Sequence, residues 1–375
     1  MMEKKSKIYV AGHNGMVGSA IVRKLVAEGY SNLVYAPYPP YDLTDQKIVS
    51  DFFVKEKPEY VFMTAAKVGG IISNNTYRGQ FLYENMMIQS NIIHQSYLNG
   101  VKKLLFPASS CIYPKNCPQP IKEEYLLTGE LEYTNEPYAI AKIAGLKMCD
   151  SYNIQYGTNF ISVMPTNLFG PNDNYNLDTS HVLPALIRKM HLGKCLENHD
   201  IEAIRKDFIN HPVDDINNSA SDEEILKKLA HYGINQLTIN NQQSTVITLW
   251  GTGSPFREFM YVDDLADACI FIMNSVDFND LKRLSAESDH TSSRHSSEIK
   301  NTQINIGTGR DNTIKEIAIR IKNIVGFKGE LNWDVSKPDG TFRKQLDVSK
   351  ISRLGWKSKV ELDEGIKMVY SLYRS

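Results

Sequence analysis

Short apolar runs alternate with amphipathic segments along the first 170 residues, and that alternation constrains the fold more than any other feature of the chain. Lys7–Ala11, Leu33–Ala36, Tyr60–Ala65, Lys103–Pro107 and Asn159–Met164 read as five strands. Between them, Met16–Gly29 places Val17, Ala20, Ile21, Leu25 and Val26 on one helical face, and Asp45–Glu56 turns Ile48, Phe52 and Phe53 inward. Gln80–Asn99 and Pro137–Tyr156 are longer helices. Strands separated by helices pair in parallel through crossovers, so the expected class is α/β with a doubly wound parallel sheet of Rossmann type.

The later chain is less regular. Ser180–Leu192 reads as a helix, Val246–Trp250 as a strand, Tyr261–Asn274 as a helix, Gln303–Ile306 as a strand, and Thr313–Val325 as a helix capped by Thr313. Lys194–Val246 is polar, with one amphipathic segment at Asp222–Tyr232, and Leu281–Thr302 has the composition of a surface loop. These readings divide the chain into a cofactor-binding domain over 1–170, with a return segment at about 246–274, and a smaller C-terminal α/β substrate domain over 171–375 that contains the polar insert at about 194–246. Lys plus Arg total 42 against 43 Asp plus Glu, a net charge of -1 that argues against a nucleic-acid or membrane-surface partner. No run approaches the ~18 apolar residues of a membrane span. The five cysteines (Cys111, Cys117, Cys149, Cys195, Cys269) are odd in number and irregularly spaced, which suits a reducing cytoplasm and gives no disulfide framework or zinc site.

Gly12-His-Asn-Gly15-Met-Val-Gly18 follows the first strand and opens the first helix. Glycines at this spacing allow a tight turn, a close approach of pyrophosphate to backbone, and close packing of helix on strand. The turn that follows the second strand, Ala36-Pro-Tyr-Pro-Pro-Tyr-Asp42-Leu43, has neither an acidic residue for a ribose nor an arginine for a ribose phosphate directly at the strand end. Asp42 comes late, and its structural alternative is to cap the next helix.

Tyr138 and Lys142 stand at i and i+4 on one helical face, where a lysine beside a phenol is expected to lower the phenol's pKa. Ser109 and Ser110 lie at the end of the preceding strand, within reach of the same substrate oxygen. This ordered set, downstream of a dinucleotide loop, resembles the extended, nucleotide-sugar-modifying branch of the short-chain dehydrogenase/reductase superfamily. The resemblance narrows to the GDP-L-fucose synthases over Ala65-Ala-Lys-Val-Gly-Gly70, Ser109-Ser-Cys-Ile-Tyr-Pro114, Thr134–Gly145, Met164–Pro171, Ser180–Ala185, Trp250-Gly-Thr-Gly253, Arg257-Glu-Phe259, Val262–Ala266 and Lys337–Gly340.

The resemblance implies an enzyme that epimerises GDP-4-keto-6-deoxy-D-mannose at C3 and C5 and then reduces C4 with NADPH. It assigns Ser109, Tyr138 and Lys142 as the reductase triad, and Cys111 and His181 as the epimerisation acid/base pair. It implies NADP contacts from Gly12, Asn14, Gly15, Met16, Val17 and Gly18, from Tyr38, Asp42 and Leu43, and from Ala65 and Ala66. Pro107, Ala108, Pro165, Thr166, Asn167, Leu168 and His181 complete that set, with Ser109, Tyr138 and Lys142 shared. Lys189, Trp250, Arg257, Asp339 and Lys344 would hold the GDP end, no metal is expected, and a homodimer through Gln80–Asn99 and Pro137–Tyr156 is implied. The chemistry is coherent: a C4 ketone acidifies the C3 and C5 protons, and Cys and His titrate within reach of neutral pH. Structural alternatives remain for single residues. Cys111 can be a small buried apolar group, His181 a helix-terminal residue, and Arg257 a surface partner of Glu258 or Asp263.

Three departures stand out. Tyr38 falls about where relatives carry an arginine for the NADP phosphate, Lys189 stands where an arginine often does, and the stretch between His191 and Trp250 is enlarged. Enlarged relatives act on GDP-linked 6-deoxy-heptoses, so a GDP-4-keto-6-deoxy-heptose is the alternative substrate.

Overall fold

The computed structural model describes residues 1–213, 216–217, 219–239, 242–288 and 298–374. They form two compact units. The first contains Met1–Asn172, Glu258–Arg310 and Lys344–Val360; the second contains Asp173–Arg257, Asp311–Arg343 and Glu361–Ser375. The chain re-enters the first unit at Glu258, later than the return read near residue 246, and visits it again from Lys344.

The first unit is built on a six-stranded sheet of β1 (Ile8–Ala11), β2 (Leu33–Val34), β3 (Tyr60–Met63), β4 (Lys103–Pro107), β5 (Phe160–Pro165) and β6 (Ile304–Ile306). Its order is β6-β5-β4-β3-β1-β2, and every neighbouring pair is parallel. This is a Rossmann-type doubly wound sheet. The chain runs outward from β1 to β2 on one side and from β3 to β6 on the other, which opens a crevice beyond the ends of β1 and β3.

Strand alternation makes both faces apolar. Ile8, Val10, Phe62, Leu105, Ile161 and Val163 face one cluster with Ala20, Ile21 and Leu25 of helix Met16–Ala27 and with helix Val262–Ser275. Tyr9, Val61, Met63, Leu104, Phe106, Phe160 and Met164 face the other, against helices Gln46–Glu56, Arg78–Leu98 and Glu136–Tyr156. Phe53, Phe62, Phe106 and Phe160 are at most 1 % exposed, each contributing roughly 1.5–3 kcal/mol of burial.

In the second unit, strand Ile234–Ile239 pairs antiparallel with Gln242–Trp250, which pairs parallel with Glu330–Asp334. Helices Val182–Glu197, Ile201–Asn210, Asp222–His231, Ile314–Val325 and Leu362–Arg374 complete it. Thr313 caps Ile314–Val325 in a reciprocal box with Glu316.

Several sequence readings shift. Asp45, not Asp42, caps helix Gln46–Glu56, and Val49 rather than Ile48 is buried with Phe52 and Phe53. Among the described residues, the polar insert holds two helices and a strand pair in place of one helix. The stretch read as a loop from Leu281 begins inside helix Phe278–Ser288, where Leu281 is 1 % exposed; residues 289–297 lie outside the described residues.

Candidate active site

The C-terminal edge of the central sheet gathers the glycine loop and most of the reductase residues. Gly12 turns the chain after β1 with φ +80°, and a Cβ there would meet the Ala65 backbone nitrogen at 2.7 Å. At Gly18 a Cβ would meet Gly12 O at 2.1 Å, so helix and loop touch backbone to backbone. Thr64 Oγ1 donates to Ala11 O at 2.6 Å and fastens β3 to β1 beneath the turn. Gly15 is the N-cap of helix Met16–Ala27, without a side-chain cap and with no acidic residue in the first turn. Backbone N–H groups at that terminus therefore face outward with positive polarity, as a pyrophosphate requires. The donor set fits a dinucleotide.

The turn after β2 is differently equipped. Tyr38 is 76 % exposed, and His13 of the glycine loop stacks on Tyr35 with ring centres 4.5 Å apart. The Asp42 carboxylate accepts from Thr44 N at 2.9 Å and Thr44 Oγ1 at 2.7 Å, which commits it to its own turn.

At the end of β4, Ser109 is the N-cap of the short helix Ser110–Ile112, and its Oγ accepts from Cys111 N at 3.2 Å. Helix Glu136–Tyr156 begins with Pro137 in its first turn and presents Tyr138 and Lys142. Lys142 is 2 % exposed; its Nζ donates to Pro107 O at 3.2 Å, lies 4.7 Å from the Phe106 ring centre and 5.8 Å from that of Tyr138. Burial lowers the Lys142 amine to about 7. Burial, and secondarily the charge of Cys111, push the Tyr138 phenol up. This reverses the expectation that the lysine lowers the phenol: desolvation outweighs the pairing, because the amine is turned to a carbonyl and an apolar ring. Tyr138 thereby keeps its proton, the state an acid needs.

Cys111 is half-buried and free. Its sulfur accepts from Asn135 Nδ2 at 3.3 Å and lies 3.9 Å from Lys344 Nζ. Lys344, read as a GDP contact, thus stands beside the Cys111 sulfur. Asn135 was not singled out from the sequence, although it lies inside the Thr134–Gly145 motif; its Oδ1 is buried with no hydrogen-bond partner. Pro165, Thr166, Asn167 and Leu168 continue from β5. Thr166 N donates to Ile306 O at 2.9 Å, and Asn167 Nδ2 donates to Glu258 O at 2.9 Å. Glu258 is not a surface partner of Arg257. It is 0 % exposed and accepts from the N–H groups of Thr308, Gly309 and Leu346 at 2.6–2.8 Å.

The remaining candidates belong to the second unit. His181 is the N-cap residue of helix Val182–Glu197, which also carries Lys189. Lys189 is lowered to about 8 by desolvation, with Asp178 pulling the other way. Asp173, missed in the sequence, has its carboxyl raised by burial to about 7. Trp250 is 62 % exposed with Lys337 Nζ 5.4 Å from its ring centre. Arg257 Nη1 donates to Thr341 O at 2.6 Å. Asp339 accepts from Thr252 N at 3.0 Å and Thr252 Oγ1 at 2.7 Å, so its carboxylate shapes the turn after Trp250. Among the described residues there is no group of three metal-ligating side chains and no helix long and apolar enough to cross a membrane.

Residues 8–212 and 220–284 match the sequence model of the family described as NAD dependent epimerase/dehydratase. The chain belongs to that family. This epimerase/dehydratase chain is 46 % identical to GDP-L-fucose synthase 1 of Arabidopsis thaliana over 373 residues, spanning 100 % of this chain and 94 % of the relative. Among solved structures it is similar to a GDP-6-OMe-4-keto-L-xylo-heptose reductase from C. jejuni, with 46 % identity, TM-score 0.87, and coverage of 100 % and 99 %. It is also similar to a GDP-mannoheptose C4 reductase from Campylobacter jejuni with NADP bound, with 45 % identity, TM-score 0.84 and 100 % of both chains covered.

Proposed function

We propose that the chain is a bifunctional 3,5-epimerase and NADPH-dependent 4-reductase that converts GDP-4-keto-6-deoxy-D-mannose to GDP-L-fucose. The observation that carries the reading is the grouping of Ser109, Cys111, Tyr138 and Lys142 beyond β4, in the unit that also bears the uncapped glycine-loop helix. The full-length relatives named as GDP-L-fucose synthases support it.

The glycine loop and the residues after β3, β4 and β5 would hold NADPH, which would supply the hydride for C4. Tyr138, kept protonated by burial, donates to the C4 oxygen. Lys142, titrating near 7, restores that proton. Ser109 and Tyr138 polarise the same oxygen while the ring enolises. Cys111 and His181 remove and return the C3 and C5 protons, one acting as base and the other as acid. Lys189, Arg257 and Trp250 hold the nucleotide end by charge and ring contact.

The second reading is a C3/C5-epimerase, C4-reductase or both, acting on a GDP-4-keto-6-deoxy-heptose. It is favoured by the end-to-end similarity to solved heptose reductases. We also read helices Arg78–Leu98 and Glu136–Tyr156 as a homodimer seam, since Leu98, Ile140, Ile154 and Tyr156 are 45–58 % exposed on them. The five free cysteines suit the cytoplasm.

The test offers each GDP-4-keto sugar with NADPH and with NADH in deuterated water, following ring deuterium and product by NMR and mass spectrometry. Deuterium at C3 and C5 with formation of GDP-L-fucose supports the main reading. Turnover of the heptose alone moves the substrate. Reduction without ring deuterium removes the roles of Cys111 and His181. No turnover of either sugar sinks the activity.

A further inference from the structure

The enlarged stretch between His191 and Trp250 plays no part in the chemistry above, yet it is tied to the loop that leads into His181, directly through Tyr232 and indirectly through Asp207 and Arg188. We propose that helices Ile201–Asn210 and Asp222–His231, with the flanking His211 and Tyr232, are a positioning element for the loop Asp173–Ser180, and through that loop for His181 and Lys189. The proposal rests on the nucleotide-sugar reading only for what those two residues do.

The first tie passes through Arg188, which lies on the helix headed by His181 and is 0 % exposed. Its Nε donates to Asp207 Oδ1 at 2.9 Å, its Nη1 to Tyr175 O at 2.9 Å and its Nη2 to His211 O at 2.7 Å. One planar guanidinium therefore fixes three segments at once: its own helix, the loop at Tyr175, and the end of the insert helix Ile201–Asn210. Asp207, supplied by that insert helix, is the counter-charge that keeps Arg188 there, and it also accepts from the Tyr373 hydroxyl. The Tyr373 ring stacks on His211 with centres 5.0 Å apart and lies 4.6 Å from that of Tyr175.

The second tie comes from Tyr232, just beyond the insert helix Asp222–His231 and 8 % exposed. Its hydroxyl donates to Asp178 Oδ2 at 2.9 Å. Asp178 is the carboxylate whose charge acts on Lys189. The loop is thus held near its start, at Tyr175, and near its end, at Asp178, three residues before His181.

The insert helices bury Ile204, Phe208, Ile225 and Leu229, each at most 1 % exposed, and the second has a capping box at Ser221 and Glu224. Their folding does not need the Tyr232 hydroxyl. A buried arginine is also a poor source of stability compared with an apolar side chain of similar size. What these polar groups supply is a fixed backbone path from Asp173 to His181.

The test is Tyr232→Phe in the full chain, with Asp207→Asn as second variant and Lys227→Ala, on the exposed face of the same insert helix, as control. Amide hydrogen exchange over 173–181 is measured without ligand, GDP affinity by calorimetry, and KM and kcat with the GDP-4-keto sugar that the wild type accepts. Tyr232→Phe is expected to speed exchange over 173–181 and to raise KM and the GDP Kd by about threefold to tenfold, as loss of one hydrogen bond to a charged acceptor requires. Lys227→Ala should match the wild type. Unchanged exchange over 173–181 together with unchanged KM and GDP Kd in Tyr232→Phe would overturn the proposal. A wild type that turns over neither sugar would overturn the activity reading instead, and the exchange result would still decide whether the insert holds the loop.

Discussion

Lys142→Met is expected to make the cofactor-free protein more stable while abolishing reduction. The amine is 2 % exposed and is lowered from the ordinary 10.5 to about 7 by desolvation. At pH 7 the unfolded chain carries it as an ammonium, whereas the folded protein holds it about half neutral. At ~1.36 kcal/mol per pKa unit, this difference opposes folding by about 4 kcal/mol at pH 7. Methionine fills a similar volume without a charge but leaves Pro107 O without its donor, at a cost of about 1–2 kcal/mol. The net gain expected at pH 7 is therefore about 2–3 kcal/mol. The sign fixes the pH window. Because the folded pKa lies below the unfolded one, the penalty is absent above the unfolded pKa. It builds as pH falls through the interval between the two values and is constant below the folded one. Urea denaturation of both proteins at pH 7 and pH 10 reads this directly: the advantage should be present at pH 7 and shrink to below about 1 kcal/mol at pH 10. An advantage equal at both pH values, or a variant less stable at pH 7, would refute the argument that burial suppresses the charge.

Gly18→Ala should weaken NADPH binding by about tenfold or more, read by fluorescence titration, because its Cβ would stand 2.1 Å from Gly12 O and force the loop open. Cys111→Ala should abolish deuterium uptake at the sugar ring while leaving NADPH binding within about twofold of the wild type. Arg188→Ala leaves Asp207 buried without its counter-charge, and should cost about 3–5 kcal/mol, seen as a lowered Tm of the purified chain.

Much of this is legible in the sequence because the first unit obeys local rules. Ile8–Ala11, Tyr60–Met63, Lys103–Pro107 and Phe160–Pro165 are apolar runs interrupted only by Lys103 and Ser162, the pattern of strands buried on both faces. The glycine loop and the Tyr138–Lys142 spacing are equally local. What the sequence hid depends on distant partners. Glu258 follows Arg257 in a motif that looks like a surface pair, and only the return of Thr308, Gly309 and Leu346 explains a buried carboxylate there. Helix Phe278–Ser288 carries a polar outer face, so composition suggested a loop although Leu281 is inward. Helix Ile201–Asn210 offers only Ile204 and Phe208 as fully buried apolar residues, too few to read against its charges. The direction of the Tyr138 shift is the opposite of the expected one for the same reason: spacing reports adjacency, but only packing reports how much water is lost.

The late arrival of β6 has a consequence for synthesis on the ribosome. Ile304–Ile306 pairs with Val163–Pro165 and closes that side of the sheet, yet it lies about 140 residues further along the chain. At ~5–20 residues per second, β5 waits on the order of ten seconds with its outer backbone groups unpaired. The nascent chain therefore offers an apolar, strand-competent edge to its neighbours for more than a third of its translation. Slowing elongation or withdrawing chaperones should lower the soluble yield of this protein well before any change in its finished stability is felt.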